Sequence, residues 1–264
     1  MAYERITWVP RVLRKAGLKV VEHDGWKTRG LSTSSSFEPR YIVWHHDASA
    51  KGDSPGVPAY MIRNYNVAGA QLWVDRAGVW HIIASGRAAH AGATRNSVTN
   101  NNSIGIETDH TTGEAWPEAQ LESLRLGTAA MLEHLKRTAH AGLHFHKSIC
   151  YPVGRKVDPD GLDLDVERVR VARVVDQRAK AKLPAVKLKR VKKAAKRAGW
   201  ARKFPGVALR KDVRRVKRAL KAEGVESYRD WQRKLGLKGA EADGIPRKAT
   251  LTTLGDRHGF RVVT

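Results

Sequence analysis

Apolar residues recur with two different spacings along the first two-thirds of this chain, and each change of spacing marks an element. The run Arg40-Tyr41-Ile42-Val43-Trp44-His45 is short, apolar and rich in β-formers, which predicts a buried central strand. Residues 71–75 (QLWVD) and 79–84 (VWHIIA) predict two more strands, joined through Arg76-Ala77-Gly78 as a hairpin. Residues 101–107 (NNSIGIE) predict a further strand with Glu107 near its end. Helical spacing governs residues 117–139, where Leu121, Leu124, Thr128, Met131, Leu132 and Leu135 recur at intervals of three and four. Pro117 and Glu118 suit the first turn of that helix, and Gly142 is its expected stop. A shorter helix is expected over residues 57–67, and a helical or mixed element over 1–20, anchored by Val9, Leu13, Leu18 and Val20. Residues 26–39, with Gly30 and the STSSS run, read as a loop, and Leu143–Phe145 is a short segment leading straight into His146. Strands and helices interleaved in this way predict an α/β domain.

Past residue 165 the pattern becomes helical throughout. A basic helix over 166–182 is followed by a break at Pro184, and the segment from Val186 to Val191 leads into KKAAKRAGW, another short amphipathic helix. Residues 211–223, 227–235 and 247–258 each place apolar residues on one side: Val213, Val216, Ala219 and Leu220 in the first, Tyr228, Trp231 and Leu235 in the second. Gly224 is a plausible C-cap and residues 239–246 a turn. The tail is therefore expected to be a compact three-helix module of about 60 residues, near the lower limit for an independent core.

Charge sharpens this division. The 264-residue chain has a formal net charge of +23, but residues 1–165 carry 19 Lys/Arg against 17 Asp/Glu, and residues 166–264 carry 30 against 9. Ten of the eleven histidines lie in the near-neutral part. The first part is suited to chemistry and the second to an anionic partner: nucleic acid, a membrane surface or an anionic wall polymer. No paired Cys/His finger, basic zipper or aromatic ribonucleoprotein motif is present, so nucleic acid is not the expected partner. The single cysteine, Cys150, excludes an internal disulfide and a cysteine-based zinc finger. The N-terminus shows no secretory signal, and no window approaches the roughly 20 apolar residues of a membrane span. Synthesis in a cytoplasm without stable membrane insertion is the expectation.

His45 and His146 both stand at the ends of expected elements, and Asp158 follows in Gly154-Arg155-Lys156-Val157-Asp158-Pro159. Two imidazoles and a carboxylate leave a fourth position for water, the donor set of a catalytic zinc ion. Spacing leaves alternatives open: His46, His110 and His144 are further candidates, and Cys150 offers a thiolate. On a strand His45 and His46 must point to opposite faces. Glu107 is a carboxylate closing an apolar strand, a position suited to proton transfer or to an ordinary edge ion pair. Lys156, two residues before Asp158, faces roughly the same side and is placed to meet developing negative charge.

These residues fall in motifs. Ile42-Val43-Trp44-His45-His46-Asp47-Ala48-Ser49, His90-Ala91-Gly92, Asn102-Ser103-Ile104-Gly105-Ile106-Glu107, His146-Lys147 and Gly154-Arg155-Lys156-Val157-Asp158-Pro159 occur in that order. Residues 41–165 thereby resemble the zinc-dependent N-acetylmuramoyl-L-alanine amidases of the type-2, peptidoglycan-recognition fold, and most of all endolysins from phages of actinobacteria. The resemblance implies a mixed central β-sheet flanked by helices. It implies Zn2+ held by His45, His146 and Asp158, Glu107 as the carboxylate that activates the attacking water, and Lys156 as a stabiliser of the tetrahedral intermediate. The bond cut would join N-acetylmuramic acid to L-alanine of peptidoglycan. The interval from His146 to Asp158 is two residues longer than in the family's commonest form, which keeps His144 in play.

The tail segments Tyr228-Arg229-Asp230-Trp231-Gln232, Ala242-Asp243-Gly244-Ile245-Pro246 and His258-Gly259-Phe260 are similar to a C-terminal peptidoglycan-binding module, with Arg247 where a glycine is usual. The implied organisation is a catalytic domain with an N-terminal extension over 1–180, a basic linker or helical region over 181–209, and a helical wall-binding module over 210–264. The resemblance also implies a lytic role on the host wall after membrane permeabilisation, with a holin-like export partner. A noncatalytic peptidoglycan-binding protein and a zinc peptidase acting within the stem peptide are the alternatives.

Overall fold

The computed structural model describes residues 2–33, 35–50, 56–66, 69–198 and 211–264. The chain divides into two compact units, Met1–Asp176 and Gln177–Thr264.

The first unit runs α1 (Val9–Lys15), β1 (Val20–Glu22), β2 (Tyr41–Trp44), α2 (Val57–Arg63), β3 (Leu72–Val74), β4 (Trp80–Ile82), β5 (Ser103–Thr108), α3 (Glu118–His134), α4 (Ala139–Gly142), β6 (Leu143–Phe145), α5 (His146–Ile149) and most of α6 (Leu164–Lys182). Its six strands form one sheet in the order β1-β4-β3-β5-β2-β6. Only the β3–β4 hairpin is antiparallel; the other four pairings are parallel, so the sheet is mixed. The α/β expectation, with a mixed sheet flanked by helices, holds.

Alternation along the strands divides their side chains between two faces. Ile42 and Trp44 of β2, Ile104 and Ile106 of β5, and Leu72 and Val74 of β3 join Leu124, Met131 and Leu132 of α3 in the main core. Burying such a side chain fully contributes about 1.5–3 kcal/mol. Thr128, a polar residue in the apolar stripe of α3, is explained here: its Oγ1 accepts the buried Trp44 Nε1–H at 2.9 Å. The helix also lies close on β4, since a Cβ at Gly127 would sit 2.1 Å from Trp80 Cζ2. The opposite face of the sheet carries Val43 and Gly105 and is left for function.

The long helix ends earlier than its spacing suggests. Leu135 caps α3, Lys136 turns left-handed at φ 54°, and Gly142 instead closes the separate short helix α4. The Arg137 N–H donates back to the Leu132 carbonyl at 2.9 Å, which ends the helical ladder. Buried Glu167 of α6 receives a two-pronged ion pair from Arg125 of α3, at 2.8 and 2.9 Å.

The second unit contains β7 (Ala185–Lys187), α7 (Leu188–Ala198), α8 (Lys211–Ala222), α9 (Tyr228–Lys234), α10 (Lys248–His258) and β8 (Arg261–Val263). The three helices of the tail pattern are α8, α9 and α10. Helix α7 falls where a short amphipathic helix is expected after Pro184, and the structure adds a parallel β7–β8 ladder. Val186, Leu188, Val191 and Ala195, within the stretch read as linker, pack with Val216, Leu220, Trp231, Leu254 and Phe260. The remainder of that linker, residues 199–209, lies outside the described residues. Ser227 caps α9 by accepting from the Asp230 N–H, and Trp231 donates to the Thr250 carbonyl at 3.0 Å. Among the described residues, no helix is long and apolar enough to cross a membrane.

Candidate metal centre and active-site cleft

The register of three parallel strands builds the site. Ile42, Val43 and Trp44 of β2 pair with Ile104, Gly105 and Ile106 of β5 on one side and with Leu143, His144 and Phe145 of β6 on the other. One residue further along, the same register sets Glu107, His45 and His146 side by side at the C-terminal edge of the sheet. The His45 N–H still donates to the Ile106 carbonyl at 2.9 Å, so the ladder reaches that level. All three share the face of Val43 and Gly105, away from the main core. Ligands gather at this edge of parallel strands because the chain there breaks into loops free to carry polar groups.

The loop after α5 brings the third group. The Lys147 N–H donates to the Asp158 carbonyl at 2.8 Å, which closes the twelve-residue step from His146. This loop lies against residues 93–95. The Tyr151 N–H donates to the Ala93 carbonyl at 2.9 Å, and the Arg95 N–H to the Ile149 carbonyl at 2.8 Å.

His45 Nδ1, His146 Nδ1 and Asp158 Oδ2 thus form a small triangle with edges of 3.0, 2.9 and 3.2 Å. All three residues are buried. A single proton can serve only one edge of this triangle. A cation satisfies all three corners, and bonds of about 2.0–2.1 Å to a tetrahedral zinc place ligand atoms roughly 3.3 Å apart. The donor set therefore fits a metal ion.

Electrostatics prepare the same set. Burial, with the neighbouring His146, pushes His45 down to about 4 despite the Asp158 carboxylate beside it, which favours the neutral imidazole. Burial alone would raise Asp158, but its hydrogen bonds and proximity to His146 and His45 outweigh that and hold it well below the usual carboxylate range. Neutral imidazoles and an ionised carboxylate are the forms that bind metal.

Glu107 stands beside the triangle, its Oε1 3.9 Å from His45 Nδ1. Its side chain is 21% exposed, yet Oε2 is enclosed and without a hydrogen-bond partner among the described residues. Burial, followed by the charges of Asp158 and Asp47, raises its pKa well above the ordinary value, while Lys156 opposes the rise. Glu107 and Lys156 line the same cleft of about 700 Å³, together with His146, Asp158, Asp47, Tyr60 and Arg155.

The other histidines divide cleanly. His46 also borders the cleft but stands outside the triangle, its Nδ1 accepting the Asp160 N–H at 3.2 Å. His110 stacks on Trp116 with ring centres 3.8 Å apart. His144 lies one strand repeat before His146 and packs edge-on against Tyr41. Buried Cys150 directs Sγ at the carbonyls of Lys147 and Pro152, both at 3.7 Å. Among the described residues, His45, His146 and Asp158 are the only group of three arranged to hold a metal.

Two neighbours carry roles that spacing does not reveal. Asp47 accepts the Trp73 Nε1–H at 2.6 Å and faces the cleft; its position directly after the histidine pair is the one available signal. His90 Nδ1 lies 3.0 Å from His45 Nε2. Its motif is visible in the sequence, but this contact across 45 residues is not.

The model of the N-acetylmuramoyl-L-alanine amidase family matches residues 35–161. No curated protein matches the chain significantly. Solved structures that resemble it include the hydrolase AmiA from Staphylococcus aureus, at 17% identity and TM-score 0.49, covering 66% of this chain and 94% of that one. The amidase LysC from Clostridium intestinale is 19% identical with TM-score 0.42, over 58% of this chain and 97% of its own. The Ph2119 endolysin from the Thermus scotoductus bacteriophage is 20% identical with TM-score 0.41, over 60% and 99%. Residues 35–161 carry the type-2 N-acetylmuramoyl-L-alanine amidase fold, with a His45, His146 and Asp158 triad suited to a metal ion.

Proposed function

We propose that the first unit is a zinc-dependent N-acetylmuramoyl-L-alanine amidase and that the chain acts as a phage endolysin. The observation that carries this reading is the triangle of His45 Nδ1, His146 Nδ1 and Asp158 Oδ2 beside a buried, proton-seeking Glu107. These three residues would hold the zinc ion, which when bound lowers the pKa of water and polarises a carbonyl. Glu107 takes the proton of the attacking water and returns it to the leaving amine of L-alanine. Its raised pKa suits both halves of that task, because a base near working pH also serves as an acid. Lys156 brings positive charge to the carbonyl oxygen as negative charge develops there. The cleft, lined among others by Tyr60, Met61 and Arg155, offers apolar and cationic contacts for a glycan and its stem peptide.

The second unit would hold the enzyme on the wall. Lys189, Lys192, Lys193 and Lys196 recur on one side of α7 and line a shared cavity. None of them has an ion pair with an acidic group among the described residues. Such a row suits an anionic wall polymer. In this reading the protein reaches the wall after a holin-like partner permeabilises the membrane, and an actinobacterial host follows from the sequence resemblance.

Mass spectrometry of digested muropeptides tests the activity. The expected products are intact glycan and stem peptides with a free L-alanine amino group. New amino groups at other stem positions would indicate a peptidase instead, and wall binding without any product would indicate a noncatalytic receptor. Sedimentation with purified walls, against duplex DNA as a control, tests the second unit.

A further inference from the structure

We propose that His90 is a positioning residue for the metal centre: it accepts the Nε2–H of His45 and so holds that imidazole with its Nδ1 lone pair facing the triad. This rests on the metal-binding reading of His45, but its proton assignments come from groups on the far side of His90.

The chain of hydrogen bonds starts at Ser103, which is fully buried. Its hydroxyl donates to the Thr99 carbonyl at 2.6 Å. Having used its only proton, Ser103 Oγ can only accept from His90 Nε2, 3.2 Å away. The Ser103 carbonyl, which never donates, lies 3.3 Å from the same nitrogen. Two acceptors facing one ring nitrogen require that nitrogen to carry the proton. His90 is therefore the Nε2–H tautomer, and its Nδ1 is a bare lone pair. That lone pair lies 3.0 Å from His45 Nε2, which must then be the donor. With Nε2 committed as the donor to His90, Nδ1 is the nitrogen turned to the corner of the triangle, 3.0 Å from His146 Nδ1 and 3.2 Å from Asp158 Oδ2, where a cation takes its lone pair. Each assignment forces the next, from a backbone carbonyl to the metal ligand. A ligating imidazole fixed through its second nitrogen is a general means of setting tautomer and ring orientation.

The fold reserves space for this relay. Ser103 and Gly105 alternate onto the site face of β5, and a Cβ at Gly105 would lie 2.5 Å from His90 Cγ. Glycine here is what lets the imidazole lie on the strand. The support is one-sided: His146 Nε2 is buried without a partner among the described residues, so no equivalent relay orients the second imidazole.

The test combines zinc affinity, measured by competition with a chromogenic chelator, with long-range 1H–15N NMR of the histidine rings. In chelator-treated wild-type protein, His45 is expected as the Nε2–H tautomer. His90→Asn places an amide oxygen near the Nδ1 position and is expected to keep wild-type zinc affinity. His90→Phe fills the space without an acceptor and is expected to lose about 10–100-fold in affinity. An Nδ1–H tautomer for His45, or undiminished zinc affinity in folded His90→Phe, would overturn the proposal. Should His90→Phe fail to fold, the wild-type tautomer still decides. Absence of zinc binding by the wild type would sink the metal reading instead, and the tautomer measurement keeps the two failures apart.

Discussion

Replacing Glu107 with Gln should make the protein inactive and more stable at once. The substitution keeps shape and removes only the ability to carry charge and exchange a proton. General acid–base catalysis is worth about 10²–10⁴-fold, or roughly 3–5 kcal/mol of barrier, so hydrolysis should fall by that factor. Metal content should persist, because Glu107 Oε1 is 3.9 Å from His45 Nδ1 and is not one of the three convergent atoms. Stability should move the other way. Glu107 has its folded pKa raised above the ordinary 4.5 by burial, Asp158 and Asp47. A raised carboxylate adds stability that is fully present below the ordinary value and is lost as pH rises through the folded value. Above that window the wild type buries a charge with no hydrogen-bond partner on Oε2, and the variant does not. Urea unfolding of both chelator-treated proteins across pH should give curves that diverge as pH rises, with Glu107→Gln the more stable at alkaline pH. Muropeptide release at neutral pH measures the activity. Near-wild-type hydrolysis by a zinc-loaded variant, or unfolding curves that stay parallel across pH, would refute the reasoning.

Asp158→Asn should fail to retain zinc after dialysis, read by elemental mass spectrometry, since the carboxylate supplies one of three donor atoms. Its depressed pKa also means that wild-type stability is lost as pH falls from the ordinary 3.8 through the folded value, an acid limb the variant should lack. Glu167→Ala leaves the Arg125 guanidinium buried without its two-pronged partner, and should cost about 3–5 kcal/mol in urea unfolding. Replacing both residues with apolar ones of similar volume should recover most of that loss. Gly127→Ala drives a methyl group against the Trp80 ring, where a Cβ would lie at 2.1 Å, and should lower stability by about 1–3 kcal/mol in thermal unfolding.

The strongly periodic parts of the fold were legible in the sequence. The apolar run before His45, the hairpin and the long helix each carry enough residues to display a period. The end of α3 was not legible, because Lys136 adopts a left-handed conformation that its side chain does not advertise. Strands β1, β7 and β8 each bury at most one of their three residues, so no apolar run marks them. At the site, residue types and motif order pointed to residues that the structure brings together. The meeting of His45 with His146, 101 residues apart, depends on the pairing of β2 with β6, which no local pattern encodes. Asp47 and His90 escaped because their partners are tertiary.

Strand β6 is the outermost strand beyond β2, hydrogen-bonded in the sheet on one side only. Border strands of this kind peel away most readily. Here the border strand leads directly into His146, whereas His45 follows the interior strand β2. A bound ion would therefore act as a clasp across the last seam of the sheet. Opening of β6 would have to release the ion first, and zinc at a thousand times its dissociation constant would oppose that opening by about 4 kcal/mol. Amide hydrogen exchange across Leu143–Phe145 should slow by about three orders of magnitude on loading, while β1 at the far border exchanges as before. The protein would then owe the integrity of one margin of its sheet to the ion held in its cleft.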